Sequence, residues 1–235
     1  MGALGGLGDW LLMLLCYGYI VGVILISGRL GSLLHLSQRA SRKFLHAMIG
    51  NFPFVIPFFR EPIFPLLVAA PFIPVTFLAT PYSPFRGLRE RMEGLAHLTE
   101  EGHHMGLVLY AVSYTVLALL FASRPWIIAA GILPMAYGDS AAALVGESRG
   151  RRRYRLVNEK SLEGSAAMFA ASFLSLMACV AFMSLLYPFG ALEKAGAVLA
   201  VAVVVTLAEA LSPAGLDNIA VPLLGALTFL ALGGW

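Results

Sequence analysis

Apolar stretches near the length a helix needs to cross a hydrocarbon core of roughly 30 Å, about 17 to 25 residues, recur along the whole chain. They cover residues 10–27, 44–59, 62–79, 105–122, 126–145, 165–187, 191–211 and 219–233, eight candidates joined by short polar connections. The second and third are interrupted by Pro53, Pro57, Pro62, Pro65, Pro71 and Pro74. Proline removes a backbone donor and its ring clashes with the preceding turn, so these two are expected to be kinked, broken or re-entrant helices. The pattern predicts an all-α, polytopic integral membrane protein with seven or eight transmembrane helices. Composition agrees with it. Of 235 residues 59% are hydrophobic and only 12% charged, with a mean hydropathy of +0.83, against roughly 25% charged in soluble domains. A water-soluble domain cannot hide that much apolar surface.

The sixteen Lys and Arg residues orient the chain, because cytoplasmic loops collect positive charge. Arg29, Arg39, Arg42 and Lys43 lie between the first two segments, and Arg86, Arg89 and Arg91 between the third and fourth. Arg149, Arg151, Arg152, Arg153, Arg155 and Lys160 lie between the fifth and sixth. Arg60, Arg124 and Lys194 fall in the alternate connections. That regularity favours eight crossings over seven, with both termini outside and the basic loops in the cytoplasm. Residues 1–9 carry no Lys or Arg and end in Asp9, so the first segment is expected to be a span and not a signal peptide, which wants a basic leader. Cys16 and Cys179 sit inside apolar segments and read as small core residues, not as a disulfide or metal pair. With no repeat, low-complexity tract or polar stretch long enough to fold alone, residues 1–235 are expected to form a single transmembrane domain. Its chemistry must come from the longest hydrophilic parts, 80–104 and 147–164, and from the adjoining helix ends.

An ionisable group inside or at the edge of a membrane segment is costly and marks a functional candidate. Asp139 lies within the fifth segment, Glu163 opens the sixth, Glu209 is near the end of the seventh, and Asp217 just precedes the eighth. All four fall in the cytoplasmic half. Each alone reads equally well as the partner of a Lys or Arg that fixes a helix; four converging beside a basic loop favour a site.

In residues 135–150, MAYGDSAAALVGESRG, Gly138, Ala142 and Gly146 recur at four-residue spacing. Such a stripe lets another backbone approach closely and by itself means helix packing. Here it runs on into Gly150, Arg151, Arg152, Arg153 and Tyr154, a flexible cationic loop suited to a polyphosphate, since Arg forks and backbone amides match phosphate oxygens. Residues 160–165, KSLEGS, put Lys160 and Glu163 on one face of a helix start. There Lys160 would hold a phosphate and Glu163 a metal, at a helix N-terminus that favours anions. The plainer alternative is a cap by Ser161 with a local Lys160–Glu163 ion pair.

At this point the chain resembles the CTP-dependent polyprenol and lipid-alcohol kinases, the family of dolichol kinase and phytol kinase. PMAYGDSAAALVGESRGRRR followed by NEKSLEGS looks like the family's signature: an acid in a small-residue helix, a Gly and basic loop, then Lys-Ser-x-Glu-Gly. RKFLHAMIG (42–50), EGHHMGLVLY (101–110) and EALSPAGLDNIAVPL (209–223) resemble three further family elements in the same order. The match spans roughly residues 42–223. Arg151 to Arg153 depart from relatives that mix Lys, His and aromatics there, and the chain is shorter than eukaryotic dolichol kinases, which favours a compact prokaryotic or phytol-kinase-like member.

The resemblance implies transfer of the terminal phosphoryl group of CTP to the hydroxyl of an isoprenoid or other lipid alcohol, giving a lipid monophosphate and CDP. It implies Asp139, Lys160, Glu163 and Asp217 as catalytic residues, with Asp139 and Glu163 holding Mg²⁺. Gly138, Ser140, Gly146, Gly150, Arg151, Arg152, Arg153, Ser161 and Gly164 are the implied nucleotide-binding residues. Lys43, His46, Glu209 and Asn218 are further candidates, His46 as a phosphate contact, an orienter of the acceptor or a polar anchor at the interface. Phosphoryl transfer asks mainly for positioning and charge neutralisation, and Mg²⁺ takes one or two carboxylates plus phosphates. Asp139, Glu209 and Asp217 all remain candidates for the base. Pro213 and Gly215 are expected to fix the turn that carries Asp217 and Asn218. His103 and His104 read as interfacial polar residues, since no nearby Cys or spaced carboxylate completes a metal site. The chain has no GxxxxGK[ST] loop. The implied partners are CTP, a lipid alcohol and membrane lipids, with no nucleic acid, at a site facing the cytoplasm. CTP over ATP, the identity of the alcohol and the oligomeric state are not written in any residue. Two rivals are a CTP-using cytidylyltransferase, releasing pyrophosphate and making a CDP-lipid, and a transporter, which would call for internal repeats that the two halves do not display.

Overall fold

The structure, a computed structural model, describes residues 2–33, 38–92, 95, 104–213 and 215–233. His103 and Glu101 lie outside the described residues. The described chain is mostly helical. Among the described residues three helices are long and apolar enough to cross a membrane by length and composition: Gly6–Ser27 within α1 (Gly2–Leu33), the continuous stretch Pro125–Arg149, and Leu162–Met183. Shorter apolar helices are Ile63–Leu78, Gly106–Phe121, Ala195–Leu211 and Asp217–Gly233.

The prolines break the second and third expected segments. The second becomes α2 (Gln38–Ile49), whose buried face carries Arg42, Lys43, Leu45 and His46, followed by two 3₁₀ turns, Phe52–Phe54 and Ile56–Phe58, with Pro53 and Pro57 near their starts. The third becomes two short helices, α3 (Ile63–Ala69) after Pro62 and α4 (Phe72–Leu78) after Pro71. Proline's fixed φ suits the start of a helical turn, and its missing N–H costs nothing there. On the far side of the bundle the buried carboxylate of Asp9 accepts the backbone N–H groups of Arg60 (3.0 Å) and Glu61 (3.2 Å), closing the turn before α3.

After the short α5 (Arg86–Arg91), α6 (Gly106–Phe121) leads to the central helix. This runs as α7 (Pro125–Leu133), a π-helical turn Pro134–Gly138, and α8 (Asp139–Arg149). Ile127, Ile128, Ile132 and Leu133 are fully buried on it. Around it pack α6, α9 (Leu162–Met183) and α11 (Asp217–Gly233), with α10 (Ala195–Leu211) between α9 and α11. Small residues set the closest approach: a Cβ on Gly131 would meet the Pro222 carbonyl oxygen at 2.5 Å, and one on Gly225 the Ala130 carbonyl oxygen at 2.4 Å. In lipid, where apolar contact alone does not hold helices together, such backbone proximity supplies the packing. The outer faces of α1 and α9 leave Leu11, Leu14, Leu15 and Leu174 exposed, as a hydrocarbon-facing surface requires. At the end of the bundle where α7 begins, Trp126 lies 4.8 Å from Tyr187 and 5.3 Å from Phe189, ring centroid to centroid, an aromatic cluster of the kind that marks a membrane interface.

Two short strands stand against the all-helical expectation. β1 (Arg153–Arg155) and β2 (Glu159–Ser161) form an antiparallel hairpin pairing Arg153 with Ser161, Tyr154 with Lys160 and Arg155 with Glu159. The cationic loop expected to be flexible is therefore an ordered ribbon. Arg153 and Arg155 are the exposed residues of β1, and Lys160 is half-buried in β2.

Candidate active site

Pro134 cannot donate a hydrogen bond, and the helix widens around it: the N–H of Asp139 bonds back to the Pro134 carbonyl, five residues earlier. Such π-turns re-aim the side chains that follow them. Asp139 opens α8, buried, and forms an ion pair with Lys43 of α2. Ser140, one residue on, donates its hydroxyl to the Lys43 carbonyl at 3.1 Å, so two bonds tie α2 to α8.

On the opposite wall Lys160, the middle residue of β2, pairs with Glu209, buried two residues before the end of α10. Asn158 donates from Nδ2 to the Ser212 carbonyl at 3.1 Å and holds the hairpin to the same helix end. The third wall is the turn into α11. Gly215 has φ of +89°, a left-handed conformation that glycine adopts without steric cost. Asp217 then accepts from its neighbour Asn218 through Oδ1, at 2.9 Å from the backbone N–H and 3.0 Å from Nδ2.

These walls enclose a cavity of about 350 Å³. Arg42, Lys43, Arg153 and Lys160 line it, as do Asp139, Glu147, Glu159, Glu209 and Asp217. Asp217 and Asp139 lie within Coulombic reach of one another and of Lys43 and Lys160. His46 also faces the cavity, almost fully buried, and neither ring nitrogen has a hydrogen-bond partner among the described residues. The Oδ1 of Asn218 is in the same condition.

Of the residues singled out in the sequence, the cavity gathers Lys43, His46, Asp139, Gly146, Arg153, Lys160, Ser161, Gly164, Glu209, Asp217 and Asn218. Others lie outside its lining. Glu163 is half-buried and turned to the loop, where it accepts the backbone N–H groups of Arg151 and Arg152, each at 3.2 Å. Lys160 therefore pairs across the cavity with Glu209 and not locally with Glu163. Ser161 caps α9, accepting the Gly164 N–H at 3.1 Å. Arg151 and Arg152 are exposed. Gly138 and Gly150 are packing positions: a Cβ on Gly138 would lie 2.2 Å from the Ser172 hydroxyl oxygen, and one on Gly150 would lie 2.3 Å from the Gly146 carbonyl oxygen. Arg42, Glu147, Asn158 and Glu159 line the cavity without having been picked out for it. The amphipathic start of α2, with two adjacent cations ahead of an apolar run, was the available signal for Arg42. Among the described residues no three His, Cys, Asp or Glu side chains cluster as a self-sufficient metal site.

Comparison with proteins of known function settles the family. The chain is 33% identical over 226 residues to a phytol kinase of Synechocystis sp., covering 93% of this chain and 90% of that one. It belongs to the phytol-kinase-like family of lipid-alcohol kinases. Membership makes it a phosphotransferase with an alcohol group as acceptor, in a chain whose apolar helices mark a membrane protein. No family model and no solved structure matches it.

Proposed function

We propose that this protein transfers the terminal phosphoryl group of CTP to the hydroxyl of an isoprenoid alcohol, of phytol, geranylgeraniol or dolichol type, releasing a lipid monophosphate and CDP. The observation that carries the reading is the convergence of Lys43–Asp139, Lys160–Glu209 and Asp217 on one cavity, from five separate elements of the chain. The similarity to a phytol kinase supports a lipid alcohol as acceptor. The choice of CTP follows from the resemblance of the 138–165 signature to CTP-dependent relatives.

The wall carries four basic and five acidic side chains, a mixture that would not attract a polyphosphate unaided. A divalent cation fits that balance. Asp139, with the unpaired Oδ1 of Asn218 nearby, offers the hard oxygen donors that Mg²⁺ takes, with phosphate oxygens and water completing the shell. When bound, the ion neutralises phosphate charge and polarises the transferred group. Glu163, expected to share this role, acts instead by holding the Arg151 and Arg152 amides and so the entry loop. Lys43, Lys160 and Arg42 bind phosphate oxygens. Asp217, which unlike Asp139 and Glu209 is not committed to a lysine, takes the proton from the acceptor hydroxyl. The oxygen of that hydroxyl attacks the terminal phosphorus as the bond to the CDP oxygen breaks, and positioning does most of the catalytic work.

The protein is read as a single multi-pass domain, with the cavity on the cytoplasmic face. The basic clusters around Arg42 and Arg153 both reach the cavity, at the end of the central helix away from Trp126, and this supports the orientation. Eight crossings remain the best account of the charge pattern, the second and third being the proline-broken segments. Product analysis tests the chemistry. Equimolar CDP and lipid monophosphate by phosphorus NMR is the expected result. Pyrophosphate with cytidine in the lipid would make the chain a cytidylyltransferase.

A further inference from the structure

Beside the polar cavity lies a smaller one of about 60 Å³, between α1, α2, α3, α4 and α6, whose wall includes Ile24, Leu45, Ile49, Phe72, Leu107 and Tyr110. It is apolar in effect as well as in composition, because its few polar atoms are engaged elsewhere. The Tyr110 hydroxyl donates to the His46 carbonyl at 3.3 Å, the Tyr114 hydroxyl to the Ile49 carbonyl at 3.5 Å, and the Thr76 hydroxyl to the Phe72 carbonyl at 2.6 Å. Ile24, Ile49 and Phe72 are only half-buried, so the groove opens toward the surface of the bundle.

A pair of stacked rings links the linings of the two spaces. His46 belongs to the wall of the polar cavity and Tyr110 to the wall of the apolar groove, and their rings lie 4.6 Å apart at 16°. Both are buried, and both imidazole nitrogens lack a hydrogen-bond partner among the described residues. A buried polar group in that state calls for an explanation. A neutral imidazole can either donate to a hydroxyl through its N–H nitrogen or accept from one through the other nitrogen. A molecule with a hydroxyl at the end of a hydrocarbon chain matches both sides of the ring pair at once.

We infer that the acceptor alcohol binds with its hydroxyl at His46 and its leading carbons in this groove, the rest of the chain leaving past Ile24, Ile49 and Phe72 into the bilayer. The groove has about twice the roughly 30 Å³ that one water occupies in the liquid. It therefore selects on the branched carbons next to the hydroxyl and not on total chain length. This seat rests on the kinase reading for the identity of its occupant. His46 acts in it as a positioning residue, setting the hydroxyl toward Asp217.

The test is photolabelling of the full-length protein in lipid nanodiscs with a geranylgeraniol carrying a diazirine near its hydroxyl, followed by peptide mapping. Label on residues 20–24, 45–52, 68–76 or 107–114, competed by unlabelled geranylgeraniol but not by added phospholipid, is the expected result. Label that maps to outward faces such as Leu174 or Leu199, or that phospholipid competes away, would overturn the inference. Ala111→Phe, which fills the groove, is expected to raise the KM for the alcohol at least tenfold and leave that for the nucleotide unchanged. His46→Phe keeps the ring stack; it should preserve labelling while kcat/KM for the alcohol falls at least tenfold, and an unchanged value would remove the hydroxyl from His46. Labelling needs no turnover. A chain that labels in the groove but transfers no phosphoryl group sinks the kinase reading alone, and a turning-over chain that labels elsewhere sinks the seat alone.

Discussion

Lys43 and Asp139 stand 96 residues apart in the chain and meet as a buried ion pair that joins α2 to α8. Removing one member of such a pair strands the other charge in a poorly solvated place, at a cost of about 3 to 5 kcal/mol. Asp139→Ala and Lys43→Met are each expected to lower the unfolding temperature in detergent and to abolish turnover. The double variant Lys43→Met/Asp139→Leu should recover most of the unfolding temperature with no activity. Recovery of both would mean that the pair only holds the helices together.

The Lys160–Glu209 pair lies across the same cavity, with Lys160 the more accessible partner. Lys160→Met is expected to lower kcat/KM for the nucleotide by about 10²-fold, the scale on which losing one well-placed donor to developing charge is felt. Lys160→Arg should recover part of it. Steady-state kinetics with varied nucleotide reads the effect, and a loss confined to the alcohol KM would contradict it.

Glu163 separates a loop-holding role from a metal-binding one. Its carboxylate accepts two backbone N–H groups of the entry loop and does not line the cavity. Glu163→Gln is expected to raise the nucleotide KM severalfold, with kcat within about twofold and an unchanged dependence on Mg²⁺ concentration. A collapse of kcat together with a rightward shift of the Mg²⁺ titration would return Glu163 to the metal.

Gly138 is where the widened turn before Asp139 touches α9. A methyl group there would press on the Ser172 hydroxyl and on the sulfur of Met168, at 2.2 and 2.8 Å. Overpacking of this kind costs about 1 to 3 kcal/mol. Gly138→Ala should lower the unfolding temperature accordingly, and adding Ser172→Gly should restore part of it. No change on Gly138→Ala would show that α9 can shift without cost.

Much of the site was legible because a membrane chain makes its ionisable residues conspicuous. Asp139, Lys160, Glu209 and Asp217 stood out against apolar surroundings, and all four line one cavity. Their partners were not legible. The three-residue spacing of Lys160 and Glu163 assumes that both lie on one helix, whereas Lys160 ends up in β2, just ahead of the Ser161 cap, and strand alternation turns it across to Glu209. Arg153, which also lines the cavity, pairs with Glu159 at 2.7 Å, an exposed contact of small energetic weight. The prolines announced that the second and third segments are broken; they did not announce that the polar half of α2 would be buried. The π-turn that aims Asp139 leaves no periodicity in the sequence, and the apolar groove is assembled from helices α1, α2, α3, α4 and α6, which no local pattern connects.

Transfer of label from γ-³²P-CTP to an organic-phase product tests the central claim most directly, with the purified protein in lipid, Mg²⁺, and phytol or geranylgeraniol as acceptor, beside Asp139→Asn. The account predicts a labelled lipid monophosphate from the wild-type chain and a loss of at least about 10²-fold in the variant, as expected when a charge-stabilising group is removed. An unlabelled lipid phase from a folded wild-type sample with either acceptor, or full activity in Asp139→Asn, would contradict it.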